Sequence, residues 1–382
     1  MVKYKLKDLF NLFAGGDIDI EHFSQYKTPI HCFPIYSNSL NNKGLYGYTS
    51  APKYKGNSIT ITGRGSVGHA EYRKQDFDAI IRLLILIPKT SNVVNSYYLT
   101  QFINQCVSFP LESTGVPQLT VPQIENIEVC LPDYTQQVAI AEALSDIDGL
   151  LSSLQKLIEK KKAIKQGAMQ ELFTGQKRFL GFSGEWETRK VGELCSIVTK
   201  QTGFDYTSTI KPNLIEHPQS NALPMIQTKN FEGRKFNFST DYYIPTDIAK
   251  EFDKIVLDTV CLLFSIVGAS VGNIGLFPGD KVAFCGGAIG IAKFYHEIDA
   301  IYAFYYFLSE SGQQQIRNVT KGGAQATVTI EDIREFTIPY PNLKERKLIA
   351  QTLSDMDNEI EQLEKKLAKY QQIKQGMMQE LL

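Results

Sequence analysis

Histidine is scarce in this sequence, with five in 382 residues, and tryptophan occurs once, as Trp186. The six cysteines (Cys32, Cys106, Cys130, Cys195, Cys261 and Cys285) never fall as C-x-x-C. With so few histidines, and none at ligand spacing, no metal site is expected. No run approaches the roughly eighteen apolar residues that a membrane-spanning helix needs. The opening MVKYKLKDLFNLFAGG has no apolar core followed by a cleavage site, so secretion is not indicated. The expectation is a soluble, cytoplasmic protein with reduced thiols. An excess of charge is also missing, the formal net value being −1. An autonomous nucleic-acid binder is usually more basic, so if nucleic acid is the ligand, a partner supplies part of the phosphate neutralisation.

Enzyme signatures are absent as well. There is no G-x-S-x-G, no H-E-x-x-H and no acidic-Pro-Pro-aromatic tetrapeptide of the kind amino-methyltransferases use. One G-x-G-x-x-G occurs, as Gly63, Gly65 and Gly68 behind the alternating run ITIT. A dinucleotide site needs a helix opening at the third glycine and an acid about twenty residues beyond. Here HAEYRKQDFDAI follows, and the place of the acid is taken by Pro88. The better reading is a strand, a tight turn and a return strand, with glycine accepting positive φ. A nucleotide-dependent enzyme is therefore disfavoured.

What is present is a repeat. Residues 132–173 and 341–382 align without a gap at an offset of 209, with 18 of 42 positions identical. Shared blocks include LSD at 144–146 and 353–355, and IKQG at 164–167 and 373–376. Asp133 and Asn342 are suitable N-caps, with Gln136 and Glu345 placed to complete a capping box. Ile140, Leu144, Ile147, Leu151, Leu154 and Ile158 step alternately by four and three, as do Ile349, Leu353, Met356, Ile360, Leu363 and Leu367. That 3.5-residue seam marks a coiled coil, and the polar surface around it is too broad for an ordinary bundle core. Asp146 and Asp148 lie beside the seam, where solvated or capping roles are expected rather than catalysis. The simplest partner for each helix is the other one, antiparallel, as a pseudo-twofold axis between similar halves would require.

Weaker echoes extend the repeat. Leu6-Lys7-Asp8-Leu9 is answered by Val191-Gly192-Glu193-Leu194, and Leu119-Thr120-Val121 by Val328-Thr329-Ile330. Ser66-Val67-Gly68 is answered by Ser270-Val271-Gly272, which sets Val267 opposite Gly63 and Ala269 opposite Gly65. The fold class expected is α+β: mostly β domains at 1–131 and 177–340, and long helices at 132–176 and 341–382. A helix of about 40 residues spans roughly 60 Å, enough to hold two domains one DNA turn apart, roughly 34–36 Å. Gly167 and Gly376, inside both helices, suggest close backbone packing there, since each is unfavourable by about 1 kcal/mol against alanine.

Met169-Gln170-Glu171-Leu172-Phe173, Arg178-Phe179, and Gly181 through Glu187 lead into Lys190-Val191-Gly192-Glu193-Leu194. This run resembles the junction between the central conserved helix and the second target-recognition domain of type I restriction–modification specificity subunits. The resemblance covers essentially the whole chain, although the G-x-W segment expected before Leu6 is missing. It implies a non-catalytic reader of double-stranded DNA, each β domain recognising half of a bipartite, asymmetric site. It further implies two modification subunits carrying S-adenosylmethionine, and restriction subunits using ATP and Mg2+, with no cofactor in this chain. A coiled-coil scaffold that binds only proteins is the alternative.

Base and phosphate contacts call for Arg, Lys, Asn, Gln or His on loops. The candidates are Asn41, Asn42, Lys43, Lys53, Lys55, Arg64 and His69 in the first domain. In the second they are Lys200, Gln227, Lys229, Asn230, Arg234, Lys235, Lys321 and Gln325. Arg64, in a turn between two glycines, is the foremost.

Overall fold

In the computed structural model, which describes residues 1–109, 117–320 and 326–382, both periodic stretches are helices. Four helices position the rest: α1 (Ser96–Cys106), α2 (Tyr134–Phe173), α3 (Glu297–Leu308) and α4 (Leu343–Leu381). The chain divides into two compact units, residues 1–156 with 365–382, and residues 157–364. Each unit therefore contains part of α2 and part of α4.

In the first unit Phe10–Ala14, Leu84–Pro88, Ser58–Ile61 and Ala70–Arg73 form, in that order, an antiparallel sheet. A smaller sheet runs Phe23–Ser24, Leu45–Thr49, Phe33–Tyr36, Asp78–Ala79, its last pair parallel. Val2–Lys5 pairs with Glu128–Leu131, tying the two ends of the domain together before α2 begins. The second unit repeats the plan. Its larger sheet is Cys195–Lys200, Ile289–Phe294, Cys261–Ser265, Ile274–Phe277, and its smaller one contains a parallel pair, Ala222–Ile226 with Ala283–Cys285. Glu187–Lys190 closes on Thr337–Tyr340. The duplication thus reaches the strand order of the larger sheet, where sequence similarity is faint, while the smaller sheets share only their parallel pair and its antiparallel neighbour.

Period-two alternation sends the side chains of Cys261–Ser265, buried at every position, to two opposite faces. Leu262 and Phe264 point into a core with Tyr302 and Phe307 of α3, while Cys261 and Leu263 point into another with Phe277 and Phe284. A strand covered on both faces has no polar side to show.

The glycine-rich turn is a turn. Thr62 N donates to His69 O and Gly68 N to Thr62 O, closing the hairpin, with φ of +72° at Gly65 and +90° at Gly68. In the second unit the same bonds join Ser265 to Asn273 and Gly272. That turn is one residue longer, so the sequence match was off by one. Gly268, at φ +87°, stands for Gly65, and Ile266 for Gly63.

Asp133 and Asn342 cap their helices, accepting from Gln136 N (3.0 Å) and Glu345 N (3.1 Å). The expected reciprocal half of the second capping box gives way to another bond. The Glu345 carboxylate, almost wholly buried, accepts from Arg178 Nε (2.8 Å) and Nη2 (2.7 Å) and from Trp186 Nε1 (3.2 Å). The lone tryptophan and its neighbouring arginine thereby fasten the segment after α2 to the first turn of α4.

All six cysteines are free, and Cys195, Cys261 and Cys285 are buried. Burial pushes the Cys261 thiol up to about 12, and that of Cys285 well above its ordinary value. These three should resist Ellman's reagent in the folded chain near pH 8 and react on denaturation. Rapid labelling of all six in the native state would contradict the packing.

Candidate nucleic-acid interface

Three side chains of the same kind join the long helices within each unit. In the first, Tyr97 on α1 donates to Asp148 Oδ2 on α2 at 2.6 Å, and Lys374 Nζ on α4 lies 2.7 Å from Oδ1. In the second, Tyr305 on α3 donates to Asp357 Oδ2 on α4 at 2.9 Å, and Lys165 Nζ on α2 lies 2.5 Å from Oδ1. Asp148 and Asp357 are equivalents at the offset of 209, as are Lys165 and Lys374. Each aspartate takes its lysine from the other helix copy. Asp148 is therefore half-exposed yet bonded on both oxygens, and the shared LSD-x-D and IKQG blocks are the two halves of one reciprocal clasp. Burial first, and then the adjoining carboxylate, pushes both tyrosine hydroxyls up, so they remain donors.

Lys161 pairs with Glu359 (2.7 Å) as Lys165 pairs with Asp357, so α4 descends where α2 ascends. The coiled coil is antiparallel. Leu144, Ile147, Leu154, Ile158, Ile349, Leu353 and Ile360 of the seam are buried, whereas Ile140, Leu151, Met356, Leu363 and Leu367 are half-buried. The apolar contact outruns the expected seam: Met169, Leu172 and Phe173 share a core with Ile349, Ala350 and Leu353. Gly167 and Gly376 make no close approach, since a Cβ at either would meet nothing within 4 Å. The close packing anticipated at these glycines is not formed within the chain.

In the first domain Asn41, Asn42 and Lys43 form an exposed turn, left-handed at Asn42 and Lys43. Lys43 (3.8 Å) and half-buried His69 (3.3 Å) both approach Glu71. Lys53 lies 3.4 Å from buried Asp78, and Lys55 2.8 Å from Asp76. Arg64 is exposed, its Nη2 donating to Gln118 Oε1 at 3.4 Å.

The second domain alters several expectations. Asn230 is 2% exposed, its Oδ1 accepting from Gln227 N and its Nδ2 donating to Asn237 O and Ser239 O. It holds its own loop in shape and has no group left for a ligand. Arg234 donates to Ser354 O (3.1 Å) and Asn358 Oδ1 (3.2 Å), and Lys235 lies 3.2 Å from Glu364. These two fasten the Phe231–Phe236 hairpin to α4. Glu364 is held below the usual carboxylate range by its hydrogen bond from Lys162, and further by Lys235. Lys229 pairs with Asp241, Gln227 is half-buried and Lys200 is exposed. Lys321 and Gln325 lie outside the described residues.

The model of the type I restriction modification DNA specificity domain matches this chain twice, over residues 1–166 and 183–375. The chain belongs to that family. The type I restriction enzyme MjaVIII specificity subunit of Methanocaldococcus jannaschii is 26% identical over 318 residues, 78% of this chain and 72% of the relative. The putative MjaX specificity subunit of the same organism is also 26% identical, over 316 residues, 78% of this chain and 70% of its own length. The crystal structure of the S subunit from M. genitalium has the same fold, with a TM-score of 0.69 at 16% identity, covering 100% of this chain and 96% of that one.

In this specificity-family chain the residues overlooked by sequence reasoning are Tyr97 and Tyr305, which sit outside the aligned helices. The signal available was the constant step of seventeen residues from Asp148 to Lys165 and from Asp357 to Lys374. Among the described residues no group of three or more His, Cys, Asp or Glu could hold a metal ion, and no helix is long and apolar enough to cross a membrane. Asp148→Asn and Asp357→Asn should each lower the unfolding free energy by roughly 1–2 kcal/mol, since these pairs are only partly shielded from solvent. Combining Asp148→Asn with Lys374→Gln should add little to the first loss. Full additivity, measured by urea unfolding, would show that the pair does not interact.

Proposed function

We propose that this chain is the non-catalytic, DNA-reading subunit of a type I restriction–modification complex. The domains at 1–131 and 177–340 each recognise one half of a bipartite, asymmetric site. The observation that carries this reading is one frame used twice: the same strand order in the larger sheet and the same Tyr-Asp-Lys clasp, bearing loops that differ. Arg64 in the first domain is matched by Val267 in the second, since Arg64 bridges Gln118 as Val267 bridges Thr327. A repeated frame with unlike loops fits two different half-sites at one spacing. A scaffold binding only proteins gives no reason for that combination.

In this reading α2 and α4 set the separation of the half-sites and dock two modification subunits that carry S-adenosylmethionine and methylate adenine. Restriction subunits using ATP and Mg2+ complete the assembly in the cytoplasm, and this chain contributes no cofactor. Asn41, Asn42, Arg64 and Gln227, with Lys200 at the end of its strand, are the contacts retained. The lysines paired to acids would add only general attraction to phosphate.

Expression of the chain with its modification subunits, followed by mapping of methylated adenines, should return a two-part, non-palindromic motif. Arg64→Ala should relax one half of it and leave the other unchanged. A palindromic motif, or methylation without sequence preference, would overturn the assignment.

A further inference from the structure

In both domains the chain leaves the parallel strand of the smaller sheet and turns directly into the larger sheet. Hydrogen bonds bring the two turns into register. Ile80 N donates to Tyr36 O and Leu83 N to Ile80 O, as Gly286 N donates to Ile226 O and Ile289 N to Gly286 O. Ile81 thus takes the place of Gly287, and Arg82 that of Ala288. On the neighbouring strand Ala14 pairs with Leu84 and Lys200 with Gly290, so Gly15 answers to Gln201.

The turns differ beyond what packing requires. In the second domain the ladder continues, Ile266 N donating to Ala288 O at 3.0 Å. In the first, Ile81 and Arg82 both stand at φ +57°, which a β-branched residue rarely adopts. The corresponding ladder bond is replaced by the side chain of Asn38, which accepts from Gly63 N (2.7 Å) and donates to Ile81 O (2.5 Å). Backbone of this kind persists where its surroundings over-determine it, and it gathers at binding sites. Here it presents side chains. Ile81 is 51% exposed, and the exposed Arg82 guanidinium has no polar partner among the described residues. Arg64 is close by, for a Cβ on Gly63 would lie 3.1 Å from Arg82 O.

In the second domain the bulk comes from the adjoining strand. Gln201 is 4% exposed, and its Oε1 would stand 2.9 Å from a Cβ on Gly287. Its Nε2 is the one buried side-chain nitrogen with no hydrogen-bond partner among the described residues. A buried donor left open costs stability, and this one faces the equivalent turn.

We propose that this turn is a base-reading element of both domains, with Ile81 and Arg82 setting specificity in the first and Gln201 in the second. The proposal rests on the DNA-reading assignment above. Arginine offers donors that match guanine O6 and N7, isoleucine an apolar face for a thymine methyl, and a glutamine amide the pattern that suits adenine. Gly287, lacking a side chain, leaves room at the Gln201 amide that a Cβ would crowd.

The test uses the full chain with its modification subunits, comparing methylated motifs and melting temperatures of Ile81→Gly, Arg82→Ala and Gln201→Leu. Glycine tolerates positive φ, so Ile81→Gly should melt at the same temperature or higher, yet lose roughly tenfold or more in discrimination within one half-site. Arg82→Ala should relax the same half, and Gln201→Leu the other. A variant set that keeps the wild-type motif, with Ile81→Gly melting lower, would make the turn purely structural and overturn the proposal. Equal weakening of methylation at all sequences by Arg82→Ala would likewise overturn base reading. Absence of any motif in the unsubstituted complex would instead remove the underlying assignment.

Discussion

A carboxylate on each long helix, bonded at once to a tyrosine of its own domain and a lysine of the opposite helix, is the constraint on which this molecule turns. The apolar seam alone does not specify where the helices stop sliding. A slip of seven residues along a heptad pattern restores most of its contacts, because leucine and isoleucine recur at that step. The clasp does not survive the slip, for it would leave Asp148 and Asp357 without their lysines. Hydrophobic burial supplies the favourable free energy, and the charged, hydrogen-bonded triads select one register from several of similar energy.

The same side chains connect recognition domain and helix. Tyr97 and Tyr305 belong to α1 and α3, so whatever fixes the register also fixes each domain on its helix. A second anchor at each helix start does the same work in two chemistries. Gln137 reaches Val93 O and Pro132 O and accepts from Asn95 N, while its equivalent Arg346 donates to Asp299 and Pro341 O. One domain is held by a neutral amide and the other by a buried ion pair. The position has a task that either solves.

Much of this frame was legible in the sequence because helix periodicity is local: the steps from Ile140 to Ile158 and from Ile349 to Leu367 need no knowledge of the fold. The N-caps at Asp133 and Asn342 were legible for the same reason. The loops were less so. Arg234 and Lys235 have the composition of DNA contacts, and only the packing of their hairpin on α4 reveals that they are taken. Asn230 carries the right amide but lies inside its own turn. Ile81 and Gln201 gave no signal, since left-handed backbone and an unpaired amide exist only once the strands are assembled. Residue type states what a side chain can do, and tertiary contact decides whether it is free to do it.

The antiparallel, reciprocal pairing can be tested by cross-linking within single chains. In a background with Cys32, Cys106 and Cys130 replaced by serine, a short bismaleimide should bridge Asp148→Cys to Lys374→Cys, and Lys165→Cys to Asp357→Cys. Efficient bridging of Asp148→Cys to Asp357→Cys, with none for the other two pairs, would mean that the helices run parallel and would contradict the clasp.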